Sequence, residues 1–213
     1  MNKQTESLIT VIFFAVILTI AFYFRYPAKE LNEQENLDKA STTRALKHIA
    51  IIASEPHYVG SEQHPKIVTY LQNELGKLGL QAQLQKGYTL TEWGNLAHSN
   101  NVLARIPGTS NGKALLLLSH FDSAPRSASP GAADDASGVA TLLEGTRALI
   151  HSGKKHKNDI IILFTDAEEL GLNGAALFVS KHPWAKDVGV VLNFEARGTA
   201  GPSYMLMETN NSN

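Results

Sequence analysis

The chain has 213 residues, a formal net charge of -1 and 43% hydrophobic residues, which suits one domain with ample material for a core. A charge this close to balance provides no basic surface for nucleic acid, so we expect no nucleic-acid partner. The absence of cysteine excludes disulfides and thiolate metal ligands. Any transition-metal site must therefore use His, Asp and Glu.

An uncharged apolar run lies near the N-terminus, from Leu8 to Phe24. A spanning helix needs about 20 apolar residues, with a lower limit of about 17, so residues 8–24 are long enough to cross a membrane. A cleaved signal peptide would have a shorter apolar region and a small-x-small site, and no such site precedes Tyr26. The sequence predicts an uncleaved signal-anchor within residues 1–26. The short N-terminal tail favours a single-pass chain with its folded domain on the extracytoplasmic or lumenal side.

After a polar linker at 27–40, residues 41–213 alternate helical and strand-like patterns. Ser41 is a suitable N-cap for one helix, and His64 with the following proline opens another that runs to residue 78. Strands are predicted at 81–85, 101–106, 114–119, 159–165, 188–194 and 203–208, with further helices at 136–150 and 173–182. This alternation predicts an α/β fold with a mostly parallel central sheet and helices on both faces.

His120 and Asp122 directly follow the apolar strand predicted at 114–119. Two residues apart on an extended segment, their side chains leave the same face, so one can bind a metal while the other orients a ligand. A His-x-Asp pair alone is common and is more often a simple surface pair. Its position favours a site, because open α/β sheets bind ligands at strand exits.

Asp134 and Asp135 come just before the helix predicted at 136–150. Helix capping accounts for one of them. It does not account for two, with small residues on either side in GAADDASG, which let the backbone approach a ligand closely. A carboxylate that bridges two cations would require such an approach.

Glu168 and Glu169 follow the strand at 159–165, and Glu195 follows the strand at 188–194. Neighbouring side chains point apart, so one glutamate can ligate a metal while the other takes a proton from a metal-activated water. The alternative is a solvated acidic loop, which Asp166 would join. Acids at the exits of three apolar strands together favour a metal-dependent hydrolase.

Jointly, HFDS, PGAADDASG, TDAEELGLNGA and NFEARGTAGPS resemble the co-catalytic zinc exopeptidase family that includes bacterial leucyl aminopeptidase and glutamate carboxypeptidase. The resemblance runs from about Ser41 to the end of the chain and includes the segment PHYVGS. The NFEARG form and the N-terminal apolar run are most similar to the vacuolar and endoplasmic-reticulum membrane metallopeptidases of that family. The resemblance implies hydrolysis of a peptide bond, usually releasing an N-terminal residue, with two Zn²⁺ ions in the complete domain.

The resemblance also implies four metal ligands, which are His120, Asp134, Glu169 and Glu195. In the family pattern Asp122 would orient the histidine, and Asp134 would bridge both zinc ions and form a cis peptide bond with Asp135. Glu168 would be the general base.

One part of the family pattern is missing. The family supplies a further histidine ligand after the strand that carries Glu195, whereas no histidine follows His182 here. We therefore expect the parent sequence to continue past Asn213, and we expect the remaining histidines to be structural or on the surface. The predicted function is a membrane-anchored zinc exopeptidase acting on peptides. Two alternatives stay open: a non-catalytic membrane-bound interaction domain that binds no metal, and a glutaminyl-cyclase-like enzyme with a single zinc.

Overall fold

The structure is a computed structural model, which describes residues 3–23, 36–196 and 198. The helices are α1 (Lys3–Tyr23), α2 (Thr42–Ile52), α3 (His64–Lys77), α4 (Ala136–His151) and α5 (Asn173–Lys181), with a 3₁₀ turn at Pro183–Asp187. The strands are β1 (Gln83–Leu90), β2 (Leu96–Ile106), β3 (Ala114–His120), β4 (Ile160–Thr165) and β5 (Val188–Asn193). The strand predicted at 203–208 lies outside the described residues.

Helix α1 is long and apolar enough to cross a membrane, with a 20-residue candidate span at Gln4–Tyr23. Its large apolar side chains are exposed. The hydroxyls of Thr10 and Thr19 donate to carbonyls one turn earlier, at 3.0 and 2.8 Å, so they find partners within the helix and need no water. The predicted apolar run thus lies on one continuous helix as far as Tyr23.

The five strands form one sheet in the order β1-β2-β4-β3-β5. β3 is parallel to both β4 and β5, whereas β2 is antiparallel to β4 and β1 is antiparallel to β2. The α/β class is confirmed, and the β1–β2 hairpin makes the sheet mixed. Both hairpin strands are longer than predicted, because residues 86–90 and 96–100 alternate only weakly in polarity and are strands through their pairing with each other.

The core lies on both faces of this sheet. Ile160, Ile162 and Phe164 pack with apolar residues of α2, α3 and α4, whereas Ile161 and Leu163 pack with α5. Alternate residues of a strand point to opposite faces, and all six residues of β4 are buried. The prediction of helices on both faces is confirmed.

A buried cluster of charged side chains holds the chain segment that precedes α2. Glu144 on α4 accepts hydrogen bonds from Arg44 and Arg147. The two guanidinium groups also donate to backbone carbonyls upstream, Arg44 to Lys39 O at 2.9 Å and Arg147 to Leu37 O and Lys39 O. The end of the predicted linker is therefore bonded to helices α2 and α4.

The parallel strands determine where the chain can build a site. His120 pairs with Thr165 across β3 and β4, and Leu118 pairs with Asn193 across β3 and β5. The carboxyl ends of all three strands consequently meet at one edge, where open α/β sheets bind ligands.

Candidate metal centre

Three predicted ligands converge at the carboxyl edge of the sheet. His120 Nε2 lies 2.9 Å from Asp134 Oδ1 and 3.6 Å from Glu195 Oε1. One ligand atom from each of the three residues lies within 4.8 Å of the other two. They come from the end of β3, the loop before α4 and the residue two positions after β5.

This donor set fits a zinc ion. One imidazole nitrogen and two carboxylate oxygens are ligands that Zn²⁺ takes, and three protein ligands leave room for a water or substrate. Burial alone would lower the pKa of His120, but the bonds to Asp122 and Glu195 outweigh it and raise that pKa to about 12. The negative carboxylates thus strongly stabilise a positive charge at this position. A divalent cation can supply that charge, with the imidazole bound to the cation in its neutral form.

Asp122 joins the histidine to the loop that follows β4. The side chain is 1% exposed, and its two oxygens accept the backbone N–H groups of Glu168 at 3.0 Å and Glu169 at 3.2 Å. His120 Nδ1 lies 3.1 Å from the carbonyl oxygen of Asp122, to which it can only donate, and 3.5 Å from its carboxylate. This bond leaves Nε2 as the nitrogen that faces Asp134.

The two adjacent aspartates have different partners. The cis peptide bond between Asp134 and Asp135 is present, as the resemblance implies. Asp135 is 1% exposed, caps α4 by accepting Gly138 N–H at 2.9 Å, and accepts the Ser119 hydroxyl at 2.5 Å. The Asp134 side chain is 57% exposed and reaches His120. Capping therefore accounts for Asp135 and leaves Asp134 available to a metal.

Glu168 and Glu169 are half-buried beside the cluster. Burial raises the pKa of Glu168, and the charge of Glu195 raises it further against the opposing effect of His120. The pKa of Glu169 is raised by burial and then by the charge of Asp134. A raised pKa brings a carboxylate closer to the range useful for proton transfer. Within the described residues, the cluster of ligand atoms contains neither Glu168 nor Glu169. Glu169 is therefore the one predicted ligand that lies outside the cluster.

Sequence reasoning missed a buried pair next to this site. His64 Nε2 lies 2.8 Å from Asp166 Oδ1, with side-chain exposures of 6% and 0%. The sequence predicted a structural or surface histidine and an acidic loop residue, because 102 positions separate them. The only hint was the location of His64 in the segment after PHYVGS, which the resemblance includes.

The model of peptidase family M28 matches residues 101–213. The chain is 32% identical to a vacuolar membrane protease of Candida albicans over 97% of this chain and 25% of that protein. It is 29% identical to a Schizosaccharomyces pombe protein provisionally named endoplasmic reticulum metallopeptidase 1, over 99% of this chain and 29% of that protein. The chain thus spans about a quarter of the length of these curated relatives.

Solved structures share the fold. A glutaminyl cyclase of Tannerella forsythia is similar with a TM-score of 0.63 and 23% identity, over 76% of this chain and 64% of that one. A leucine aminopeptidase precursor from Bacteroides thetaiotaomicron has a TM-score of 0.60 and 20% identity, over 74% of this chain and 62% of that one. The family match covers more than half of the chain and confirms the resemblance of its motifs, so the chain belongs to peptidase family M28.

Proposed function

We propose that this chain carries the site of a membrane-anchored, zinc-dependent exopeptidase that hydrolyses peptide bonds in the manner of an aminopeptidase. The observation that carries the proposal is the convergence of His120, Asp134 and Glu195 at the carboxyl edge of the sheet, with their ligand atoms within 4.8 Å. The M28 family match supports a zinc-dependent peptidase.

The proposed ligands are the three members of this cluster together with Glu169. When bound, zinc would polarise the substrate carbonyl and lower the pKa of a water molecule. Asp134 is the residue suited to bridge two zinc ions, because its carboxylate has one oxygen at His120 and more than half of the side chain is exposed. Its charge also raises the pKa of Glu169, which supports a position of Glu169 near Asp134.

Glu168 is the proposed general base. Its carboxylate would accept a proton from the attacking water as the water oxygen bonds to the carbonyl carbon. The same proton would pass to the amine nitrogen as the peptide C–N bond breaks, so that Glu168 returns to its ionised form. The raised pKa of Glu168 supports this cycle. The bond from its N–H to Asp122 supports a fixed position, and Asp122 would act by orienting both Glu168 and His120.

The membrane attachment completes the proposal. Residues 8–24 would hold the chain in a membrane once, with the domain at 41–213 on the extracytoplasmic or lumenal side and a peptide as its substrate. Helix α1 is long and apolar enough for this, and the names of the two curated relatives are those of a vacuolar membrane protease and an endoplasmic reticulum metallopeptidase.

The test is zinc-dependent cleavage of aminoacyl and N-blocked peptides by the full-length protein that contains this sequence. In Glu168→Gln, loss of the base should reduce kcat by about 10²–10⁴-fold. The matched control is Glu92→Gln, since Glu92 is exposed in the hairpin turn. Release of free amino acids that chelator abolishes and only Glu168→Gln suppresses would support the proposal.

The same assay separates the alternatives. A glutaminyl-cyclase-like enzyme would release ammonia from peptides with N-terminal glutamine and no free amino acid. A non-catalytic domain would bind no zinc and cleave nothing. Full activity of Glu168→Gln would contradict the proposed mechanism.

A further inference from the structure

We infer that His64 and Asp166 are positioning residues that set the turn carrying Glu168 and Glu169. The inference rests on the proposed function, because it assigns a purpose to a buried pair beside the proposed general base. Neither side chain is part of the metal cluster, and both are nearly excluded from solvent.

Asp166 connects the end of β4 to two other elements. Its Oδ1 accepts from His64 Nε2 at 2.8 Å and from the backbone N–H of Ala167 at 2.8 Å. Its Oδ2 accepts the backbone N–H of Asn100 at 2.7 Å. One carboxylate therefore joins β2, the first residue of α3 and the turn after β4.

The turn needs such support because its backbone is strained. Ala167 has a φ of 56°, in the left-handed region that non-glycine residues seldom adopt. Its N–H donates to Asp166, and its carbonyl accepts the N–H of Asn173. Strained conformations of this kind persist where the surroundings over-determine them.

Two buried carboxylates hold three consecutive backbone N–H groups of this turn. Asp166 accepts from Ala167, and Asp122 accepts from Glu168 and Glu169. A shift of Asp166 would therefore rotate the turn about the bonds to Asp122, and the first side chains to move would be the two glutamates.

His64 contacts Asp166 and the residue that precedes Asp122. Its Nε2 bonds to Asp166, and its ring packs on Phe121, with ring centroids 5.4 Å apart. Phe121 is fully buried and precedes Asp122 in the chain. The imidazole thus links Asp166 to the chain segment that carries Asp122, the second carboxylate that holds the turn.

The test compares two substitutions of His64 in the full-length protein. His64→Leu fills the site without a donor, whereas the side-chain amide of His64→Gln can donate near the position of Nε2. Residues behind metal ligands typically change metal affinity or activity by about 10–100-fold, so His64→Leu should lose about that factor in kcat or zinc affinity, with KM little changed. His64→Gln should recover most of the loss.

Arg105→Met is the matched control for a merely structural effect. Arg105 forms ion pairs with Asp159 and Asp187, each at 2.6 Å. Asp159 directly precedes β4, so these ion pairs lie at the end of the sheet opposite the metal cluster. The loss of Arg105 should lower Tm without changing kcat or zinc affinity. Because His64→Leu can fail to fold, Asp166→Asn is measured beside it and should show the same loss.

The outcomes separate this inference from the proposed function. Folded His64→Leu and Asp166→Asn proteins with wild-type kcat and zinc affinity, alongside an inactive Glu168→Gln, would overturn the positioning role alone. An equal loss in His64→Gln and His64→Leu would also overturn it, since the hydrogen bond would then be irrelevant. An active Glu168→Gln would instead overturn the proposed function.

Discussion

The substitution Asp122→Asn removes one of the two carboxylate oxygens with which the buried Asp122 side chain accepts two backbone N–H groups. The carboxylate accepts N–H groups from Glu168 and Glu169 at 3.0 and 3.2 Å and is 1% exposed. An asparagine of the same shape has one acceptor oxygen, so its NH₂ group must face the second N–H. The loss of one hydrogen bond to a charged acceptor costs about 1.5–3 kcal/mol. At about 2–4 °C per kcal/mol for a domain of this size, Tm should fall by about 3–12 °C.

The same substitution should weaken metal binding, because the Asp122 carboxylate holds the turn and lies 3.5 Å from His120 Nδ1. We expect zinc affinity to fall by about 10–100-fold, the usual effect of changing a group behind a metal ligand. Urea unfolding and competition with a chelator measure the two effects. Asp187→Asn is the control: that side chain is 45% exposed in an ion pair, so its cost should stay below about 1 kcal/mol. If Asp122→Asn matched this control in both stability and zinc affinity, the role assigned to Asp122 would be wrong.

Two further predictions concern stability. Burial alone would raise the pKa of Glu144, but hydrogen bonds from Arg147 and the Ser41 N–H outweigh it and lower that pKa below its ordinary 4.5. The stabilising effect of the ionised Glu144 is therefore present above pH 4.5 and lost as pH falls through the folded-state pKa. The difference in free energy of unfolding between wild type and Glu144→Gln should consequently become smaller in acid. A difference that does not change with pH would contradict this. In Gly174→Ala, a Cβ would lie 2.3 Å from Asp166 O, and unfolding by urea should show a loss of about 1–3 kcal/mol or more. Gly145→Ala, where a Cβ meets nothing within 4 Å, should instead gain about 0.5–1 kcal/mol, and equal effects at both glycines would refute the crowding argument.

Sequence alone could predict the candidate site because the site depends on local features that the sheet topology then brings together. The apolar runs before His120, Glu168 and Glu195 each predict a buried strand, and parallel strands bring their carboxyl ends to one edge. The strand before Glu195 is present, but its residues are largely exposed. The structure brings His120, Glu195 and Asp134 within reach of one ion. No single motif predicts how close these ligand atoms lie, but three strands of one sheet that end at the same edge make their proximity predictable.

Other features could not be read from the chain because they depend on long-range packing. His64 and Asp166 are 102 positions apart, and neither stands in a pattern that predicts a buried pair. The β1–β2 hairpin was underestimated because exposed residues such as Tyr88 and Leu90 break the polar alternation of a half-buried strand. The roles of Asp134 and Asp135 separate only in the structure, where one side chain caps α4 and the other reaches His120.

The most direct test of the central claim is zinc binding by the full-length protein that contains this sequence, measured in detergent by titration and by metal analysis after dialysis. His120→Gln removes the nitrogen that lies 2.9 Å from Asp134 Oδ1 and 3.6 Å from Glu195 Oε1. His151→Gln is the control, since His151 is exposed at the far end of α4. The account predicts that wild type and His151→Gln retain zinc and that His120→Gln loses it. Zinc retained equally by all three chains, or by none, would contradict a metal centre at the carboxyl edge of this sheet.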